Sequence, residues 1–327
     1  MPSHPLENPF DPLRERISDK KAFVKKVLSK ISASGSTSIQ EEDFGPEATN
    51  LVSPEDQKRI EDEKIFGEII FCETQALRKF FGREIPVPHL PKEATRERIL
   101  EWRRMGFELH YLPNLSVAEI KRDREGKILE VTPIDFPGWK KKPGRRYTRG
   151  VYINSVEFFD EVKTGGFLDL SALDLFGGWI LIDTRKKPNF DKGKQMYEND
   201  PLGPALEELR KKNVIEDFKI KGSRFNLSSN ELENPKVLEA FAKVLNFHSI
   251  PGLEVSIPRT IEFNILGNIF YPEWGKTDTQ EWFGDYGKGS NRLFGGDSND
   301  GGLSCVDDGV CRGRSDGVGF RVIGRFS

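Results

Sequence analysis

Thiols and carboxylates are concentrated near the end of the chain, where their spacing permits several kinds of chemistry. Cys305 and Cys311 lie six positions apart and could form a local disulfide or remain two thiols. The run DSNDGG (297–302) carries aspartates of the kind that bind calcium, but it lacks the ligand spacing and terminal glutamate of an EF-hand loop. The four histidines are scattered. We therefore predict no metal and no cofactor, with calcium as the alternative.

A basic cluster, WKKKPGRRYTRG (139–150), offers a different chemistry. Its six basic residues stand beside Trp139 and Tyr147, a composition that could contact a polyanion. A charge run on a Pro/Gly loop is more often a solvated face, and the net charge of −2 creates no field that recruits nucleic acid. We expect no nucleic-acid partner. Polyanion binding, with strongly salt-dependent affinity, stays as an alternative.

Length and composition describe a protein with a substantial core. The 327 residues suffice for one large or two modest domains, and three cysteines cannot form a disulfide framework. Apolar runs fall short of the roughly 18 residues that a membrane span needs. The first residues show no secretory signal, so a cytoplasmic, a virion-associated and a non-classically exported protein all remain open.

The residues from Gly284 to Ser327 have an unusual composition. They contain no Glu, Gln, Met or Trp, a single Lys (Lys288), and 12 of the chain's 31 glycines. Codons of the form NNY cannot encode Glu, Gln, Lys, Met or Trp, yet readily give Asn, Asp, Ser, Gly, Tyr, Cys and Arg. The bias therefore indicates targeted diversification over about 284–321, which favours binding over catalysis. The candidate ligand-binding positions between the fixed apolar ones are Asp285, Tyr286, Asp297, Asn299, Asp300, Cys305, Asp307, Asp308, Val310, Cys311, Arg312 and Arg314.

Short motifs in the last 75 residues point to known families. They are PRTIEF (258–263), YPEWG (271–275), TQEWF (279–283), RLFGG (292–296), GGL (301–303) and VGFR (318–321). In this order they resemble the formylglycine-generating, sulfatase-modifying-factor family. The chain is more closely similar to the variable proteins of diversity-generating retroelements in archaea, bacteria and their viruses. The resemblance covers about residues 65–327 and leaves the first 60 uncovered.

This resemblance implies a C-type-lectin-like fold and a receptor- or adhesin-like recognition protein that is not an enzyme. Its partner would be a protein or another surface ligand, which the sequence does not identify. The alternative is a divergent formylglycine-generating-type copper oxidase that uses Cys305 and Cys311. Enzymes of that type place the first cysteine about three residues after the GGS-like motif, whereas here Cys305 comes much later than Gly296.

The fixed residues between the candidate positions are expected to form a scaffold. Large aromatic side chains would anchor irregular loops, glycines would allow positive φ and close approach, and Arg321 would pair with Glu262 or Glu281. The scaffold residues are Trp274, Trp282, Gly295, Gly296, Gly319, Phe320 and Arg321.

Periodicity and capping signals predict the elements that carry these residues. Residues 1–52 should form an amphipathic helix (11–31) and a polar linker, and residues 53–327 the lectin-like domain. Ser53-Pro54-Glu55 opens a helix to Phe81 with Ile65, Ile69 and Cys72 on one stripe. Further helices are predicted at 95–105, after Asn234-Pro235 and at 258–267.

Strands are predicted where apolar residues alternate or run together. Phe107, Leu109 and Tyr111 alternate with Glu108 and His110 in a half-buried strand, GGWILIDT (177–184) is a buried strand, and short strands with Gly/Asp loops form the tail. Helices and strands are segregated rather than wound as βαβ units, which is typical of the α+β class.

Overall fold

A computed structural model describes residues 54–139, 158–159, 162–163, 170–286 and 291–327. Internal contacts divide the chain into a unit of residues 1–58 and a unit of residues 59–327. The predicted helix at 11–31 and its linker lie outside the described residues, and so does the basic cluster beyond Trp139. The helices are α1 (Pro54–Phe81), α2 (Arg96–Arg104), α3 (Gly203–Lys211), α4 (Ser229–Leu232), α5 (Pro235–Val244) and α6 (Thr260–Ile269), with short 3-10 turns at Leu170–Leu173, Phe247–Ser249, Pro272–Gly275 and Gly302–Ser304.

The strands form mainly antiparallel sheets. They are β1 (Phe107–Ser116), β2 (Ala118–Arg122), β3 (Ile128–Pro133), β4 (Asp174–Asp183), β5 (Leu253–Ser256), β6 (Gln280–Tyr286), β7 (Asn291–Gly295), β8 (Val306–Val310), β9 (Val318–Phe320) and β10 (Ile323–Phe326). One sheet has the order β1-β4-β10-β5, a second the order β8-β7-β6-β9, and β2 pairs with β3. Within the described residues, only β6 and β9 pair in parallel. The fold is therefore mixed α/β with several antiparallel sheets.

The first sheet separates two apolar clusters. Because successive side chains of a strand point to opposite faces, Ile180 and Ile182 of β4 enter one cluster while Trp179 and Leu181 enter the other. This explains why GGWILIDT reads as a continuous apolar run rather than an alternating one. Both faces of β4 are covered from Trp179 to Asp183, as predicted for a buried strand, whereas Phe176 and Gly177 are exposed.

Local signals located α1, α2, α5 and α6, whereas α3 and α4 were not predicted. Thr95 caps α2 by accepting a hydrogen bond from the N–H of Arg98 at 3.4 Å, and Gly106 follows with φ +76°. Asn234 caps α5 in the same way, and α1 and α6 lie within about two residues of the predicted bounds. None of the helices in the described part of the chain is long and apolar enough to cross a membrane.

The predicted buried stripe of α1 is wrong at Cys72. That side chain is exposed, whereas Ile69, Glu73, Leu77 and Phe80 are buried. Glu73 occupies an apolar stripe because its carboxylate has internal partners: it accepts a hydrogen bond from the N–H of Tyr111 at 3.1 Å and lies 2.9 Å from Nδ1 of His110.

The same contacts correct the alternation expected along β1. Glu108 is exposed, but His110 is buried. Its Nε2 lies 2.6 Å from the hydroxyl of Tyr271, so both ring nitrogens have polar partners in the interior. A histidine whose ring nitrogens are both hydrogen-bonded can occupy a core position in place of an apolar residue. Buried and exposed residues therefore do not alternate strictly along β1.

Candidate functional site

A buried arginine anchors the C-terminal sheet. Arg321 donates to Glu281 through Nε at 3.2 Å and Nη2 at 2.9 Å, and its guanidinium lies 3.8 Å from the ring centroid of Trp274. The predicted pairing with Glu281 is therefore confirmed. The other predicted partner, Glu262, pairs with Arg325 instead.

A second group of buried ion pairs lies next to the Arg321–Glu281 pair. Arg224 contacts both Asp183 and Asp200 at 2.6 Å, and Tyr197 donates its hydroxyl proton to Glu281. Burial tends to raise the pKa of Asp183, but the charges of Arg224, Arg185 and Arg321 outweigh it and hold this pKa below its usual value. Paired and hydrogen-bonded charges of this kind fix the relative positions of the loops that carry them.

The glycines predicted as scaffold lie where backbones approach closely. A Cβ at Gly295 would overlap the carbonyl oxygen of Cys305, and one at Gly319 would lie 3.1 Å from Phe225. Gly296 has φ +95°, and its carbonyl accepts from Nζ of Lys187 at 2.8 Å. Burial lowers the pKa of Lys187 to about 8. Trp274, Trp282 and Phe320 are all buried, so every predicted scaffold residue lies in the interior.

The candidate ligand-binding positions divide by exposure. Asp297 is half-buried, and Asp285, Cys305 and Cys311 are buried. The exposed positions are Tyr286, Asn299, Asp300, Asp307, Asp308, Val310, Arg312 and Arg314.

Asp285 is a structural residue, which corrects its predicted role in ligand binding. Its carboxylate accepts from Nε of Arg259 at 2.9 Å and from the N–H of Thr260 at 2.6 Å. It thus neutralises a partly buried arginine and satisfies a free N–H in the first turn of α6.

The two cysteines do not form one site. Strand β8 runs extended between them in unbroken register with β7, and its five residues are roughly 13 Å long at about 3.3 Å per residue. Cys305 lies beside Gly295 at one end, while the carbonyl of Cys311 accepts from the N–H of Asn230 at the other. A disulfide needs Cα atoms within about 7 Å, so both remain free thiols. The two thiols therefore do not lie side by side, as two ligands of one metal ion would.

The DSNDGG run forms a tight loop with a structural use for its first aspartate. Asp297 accepts from the N–H of Asn299 at 2.8 Å, and the N–H of Ser298 donates to the carbonyl of Thr277 at 2.9 Å. Burial, followed by the charge of Asp300, raises the pKa of Asp297. Across the described residues, no group of three or more His, Cys, Asp or Glu side chains converges as metal ligands would.

The exposed positions lie around one hairpin. Tyr286 pairs in register with Arg292, which pairs with Gly309, so Tyr286 lies about 10 Å, two strand spacings, from the neighbours Asp308 and Val310. Asn299 and Asp300 lie in the loop at the other end of β7. The exposed positions of β6, of β8 and of the loop between β7 and β8 are therefore all joined through β7.

A cleft beside this hairpin was not predicted from sequence. It encloses about 570 Å³, within the range typical of small-ligand sites. We call it the β4 cleft. Its lining combines apolar side chains with charged ones and includes Phe176, Gly178, Leu232, Glu233, Leu238, Ser256, Ile257, Arg259, Glu262, Arg292, Arg325 and Phe326.

Two arginines that line the β4 cleft each hold an exposed aromatic ring. The Arg259 guanidinium lies 4.5 Å from the ring centroid of Phe176, and that of Arg292 lies 4.7 Å from Tyr286. The Gly177-Gly178 pair, with φ +64° and +139°, is the one sequence signal that could have revealed the cleft, since paired glycines inside a strand often mark a close approach to a ligand or another backbone.

Comparisons with known proteins identify no relative: the chain matches no protein-family model, no curated protein and no solved structure. Function must therefore be inferred from the residues of the chain itself.

Proposed function

We propose that this chain is a ligand-binding recognition protein, not an enzyme, whose surface around β7 and β8 is diversified by a retroelement. It would present the exposed positions of 284–321 to a protein or another surface ligand. The buried residues between them would hold the presenting loops in place. The proposal includes a C-type-lectin-like fold, on the strength of the motif order from PRTIEF to VGFR.

One observation carries this proposal. Residues 284–321, which we call the codon-restricted segment, divide into buried residues, the buried frame, and the exposed candidate positions, the exposed set. Leu293, Phe320 and Arg321 are buried, while Asp300, Asp308 and Arg312 reach solvent. Diversification of the exposed set would change a binding surface without disturbing the core, because substitutions at exposed loop positions usually change stability by less than about 0.5 kcal/mol.

The composition of the exposed set also favours binding. Asp, Asn, Arg and Tyr on loops over a rigid frame provide adaptable hydrogen bonds and aromatic contact area, as in antibody paratopes. The buried ion pairs of Arg321 and Arg224 supply the rigidity. A surface with these properties can accept many sequences, each with a different ligand.

The DNA around the gene tests this proposal. We expect a near-copy of the codons for 284–321, differing from them at adenines, close to a reverse transcriptase gene. The mismatched codons should encode Tyr286 and other exposed positions, with a matching codon at Phe320. A complete locus with neither a repeat nor a reverse transcriptase would contradict diversification by a retroelement.

A further inference from the structure

We infer that the β4 cleft is a second binding site, for a zwitterionic ligand with an apolar body: an apolar amino acid or a short apolar peptide. The cleft adjoins the proposed variable surface, but none of the candidate variable positions lines it, so the inference does not depend on that proposal. The inference follows from two ion pairs that line the cleft and from which member of each pair is exposed.

In the first ion pair, the cation is the exposed member. Glu262 is almost fully buried, with 1% of its side chain exposed, whereas Arg325 has 30% exposed. Both oxygens of Glu262 are occupied, by Arg325 and by the N–H of Arg259. Within the described chain, Nε of Arg325 has no hydrogen-bond partner. Arg325 therefore presents free N–H groups to the cleft, and these suit a carboxylate.

In the second ion pair, the anion is the exposed member. Here Arg292 is the buried member, with 4% of its side chain exposed, and Glu233 has 41% exposed. Arg292 is further held by the carbonyl of Phe283, to which its Nε donates at 2.5 Å. Glu233 already has Arg292 and Tyr286 as hydrogen-bond partners, but an ionised carboxylate has about four acceptor positions, so its exposed part can also accept from an ammonium group.

The apolar part of the lining provides for the ligand's body. Phe176 has 57% of its surface exposed, and its ring is held against the Arg259 guanidinium. Leu232, Leu238 and Ile257 contribute aliphatic surface to the same cleft. A Cβ at Gly178 would meet nothing within 4 Å, so the cleft is open over the strand. One exposed cation, one exposed anion and apolar walls match a zwitterion with an apolar side chain.

Titration calorimetry with defined probes tests the site. The probes are L-phenylalanine, its amide (no carboxylate), its N-acetyl form (no ammonium) and the dipeptide Phe-Phe. We expect saturable binding of phenylalanine, Phe-Phe or both, and about tenfold or greater weakening when either charged group is blocked. Binding of the dipeptide alone would identify a peptide as the ligand. No binding of either zwitterion, or equal binding of the blocked forms, would overturn the inference.

Substitutions assign each charged group of the ligand to its residue. In Glu233→Gln, phenylalanine and its N-acetyl form should bind equally, while the preference for the acid over the amide persists. Arg325→Gln should show the reverse pattern. Because Arg325→Gln leaves Glu262 buried without its partner, its folding is checked by circular dichroism. Glu233→Gln likewise leaves the buried Arg292 without its carboxylate, so its folding is checked in the same way. If either variant fails to fold, the comparison of the four probes on the unsubstituted protein decides. A Glu233→Gln variant that still discriminates against the N-acetyl form would contradict the assignment.

Exposed residues outside the cleft supply matched controls. Phe176→Ala should weaken binding by several-fold through lost contact area, whereas Phe190→Ala, which removes another exposed phenylalanine ring, should not change it. Equal effects of the two substitutions would show that the probe binds elsewhere.

Discussion

Two aspartates of the codon-restricted segment should differ sharply in their contribution to stability. Asp285→Ala removes the carboxylate that pairs with Arg259 at 2.9 Å and accepts from the N–H of Thr260. Breaking a buried ion pair by removing one partner costs about 3–5 kcal/mol. Arg259 keeps 12% of its side chain exposed and two carbonyl partners, so we expect the lower end, about 3 kcal/mol. Asp307→Ala, at an exposed position of β8, should stay within about 0.5 kcal/mol of the wild type.

Urea unfolding followed by circular dichroism measures the free energy of unfolding of each variant. The comparison holds provided that the dependence of this free energy on urea concentration is the same in the variants and the wild type. Asp285→Asn keeps one acceptor oxygen but no charge. Its free energy of unfolding should therefore lie between those of Asp285→Ala and the wild type. Equal destabilisation by the Asp285 and Asp307 substitutions would refute the division into frame and exposed set. A neutral Asp285→Ala would show that the Arg259 contact does not stabilise the fold.

Lys187 and the thiols give further tests. Because burial lowers the pKa of Lys187 to about 8 from a usual value of about 10.4, the unfolded chain binds more protons between these pH values, and stability from this group rises with pH. Relative to Lys187→Met, the free energy of unfolding of the wild type should rise by up to about 3 kcal/mol between pH 8 and 10.5. A difference between the two proteins that does not change with pH, measured by urea unfolding, would contradict this. A thiol reagent should label Cys72 rapidly in the folded protein but not the buried Cys305 or Cys311, and all three after unfolding. Rapid labelling of three thiols before unfolding would disprove the burial.

The elements that the sequence predicted well are those specified by neighbouring residues. Pro54 at the start of α1, Thr95 before α2 and Asn234 before α5 act within one helical turn, so capping chemistry is visible in a short window. The strand at 177–184 was equally visible because both its faces are apolar.

Residues whose environment depends on distant partners were misjudged for a physical reason. Asp285 resembles a loop aspartate until Arg259 and Thr260 are placed beside it by folding. His110 is buried because of Glu73 and Tyr271, which are 37 and 161 positions away. The β4 cleft likewise arises from several strands and helices together. Composition and local periodicity contain no information on such pairings, which depend on topology.

Sequencing the codons for 284–321 in many copies of this locus, taken from a natural population, tests the central claim most directly. The account predicts amino-acid differences concentrated at the exposed positions, such as Tyr286, Asn299, Asp308 and Arg312, with Asp285 and Phe320 unchanged. Differences spread evenly along the segment, or confined to synonymous sites, would contradict a diversified binding surface.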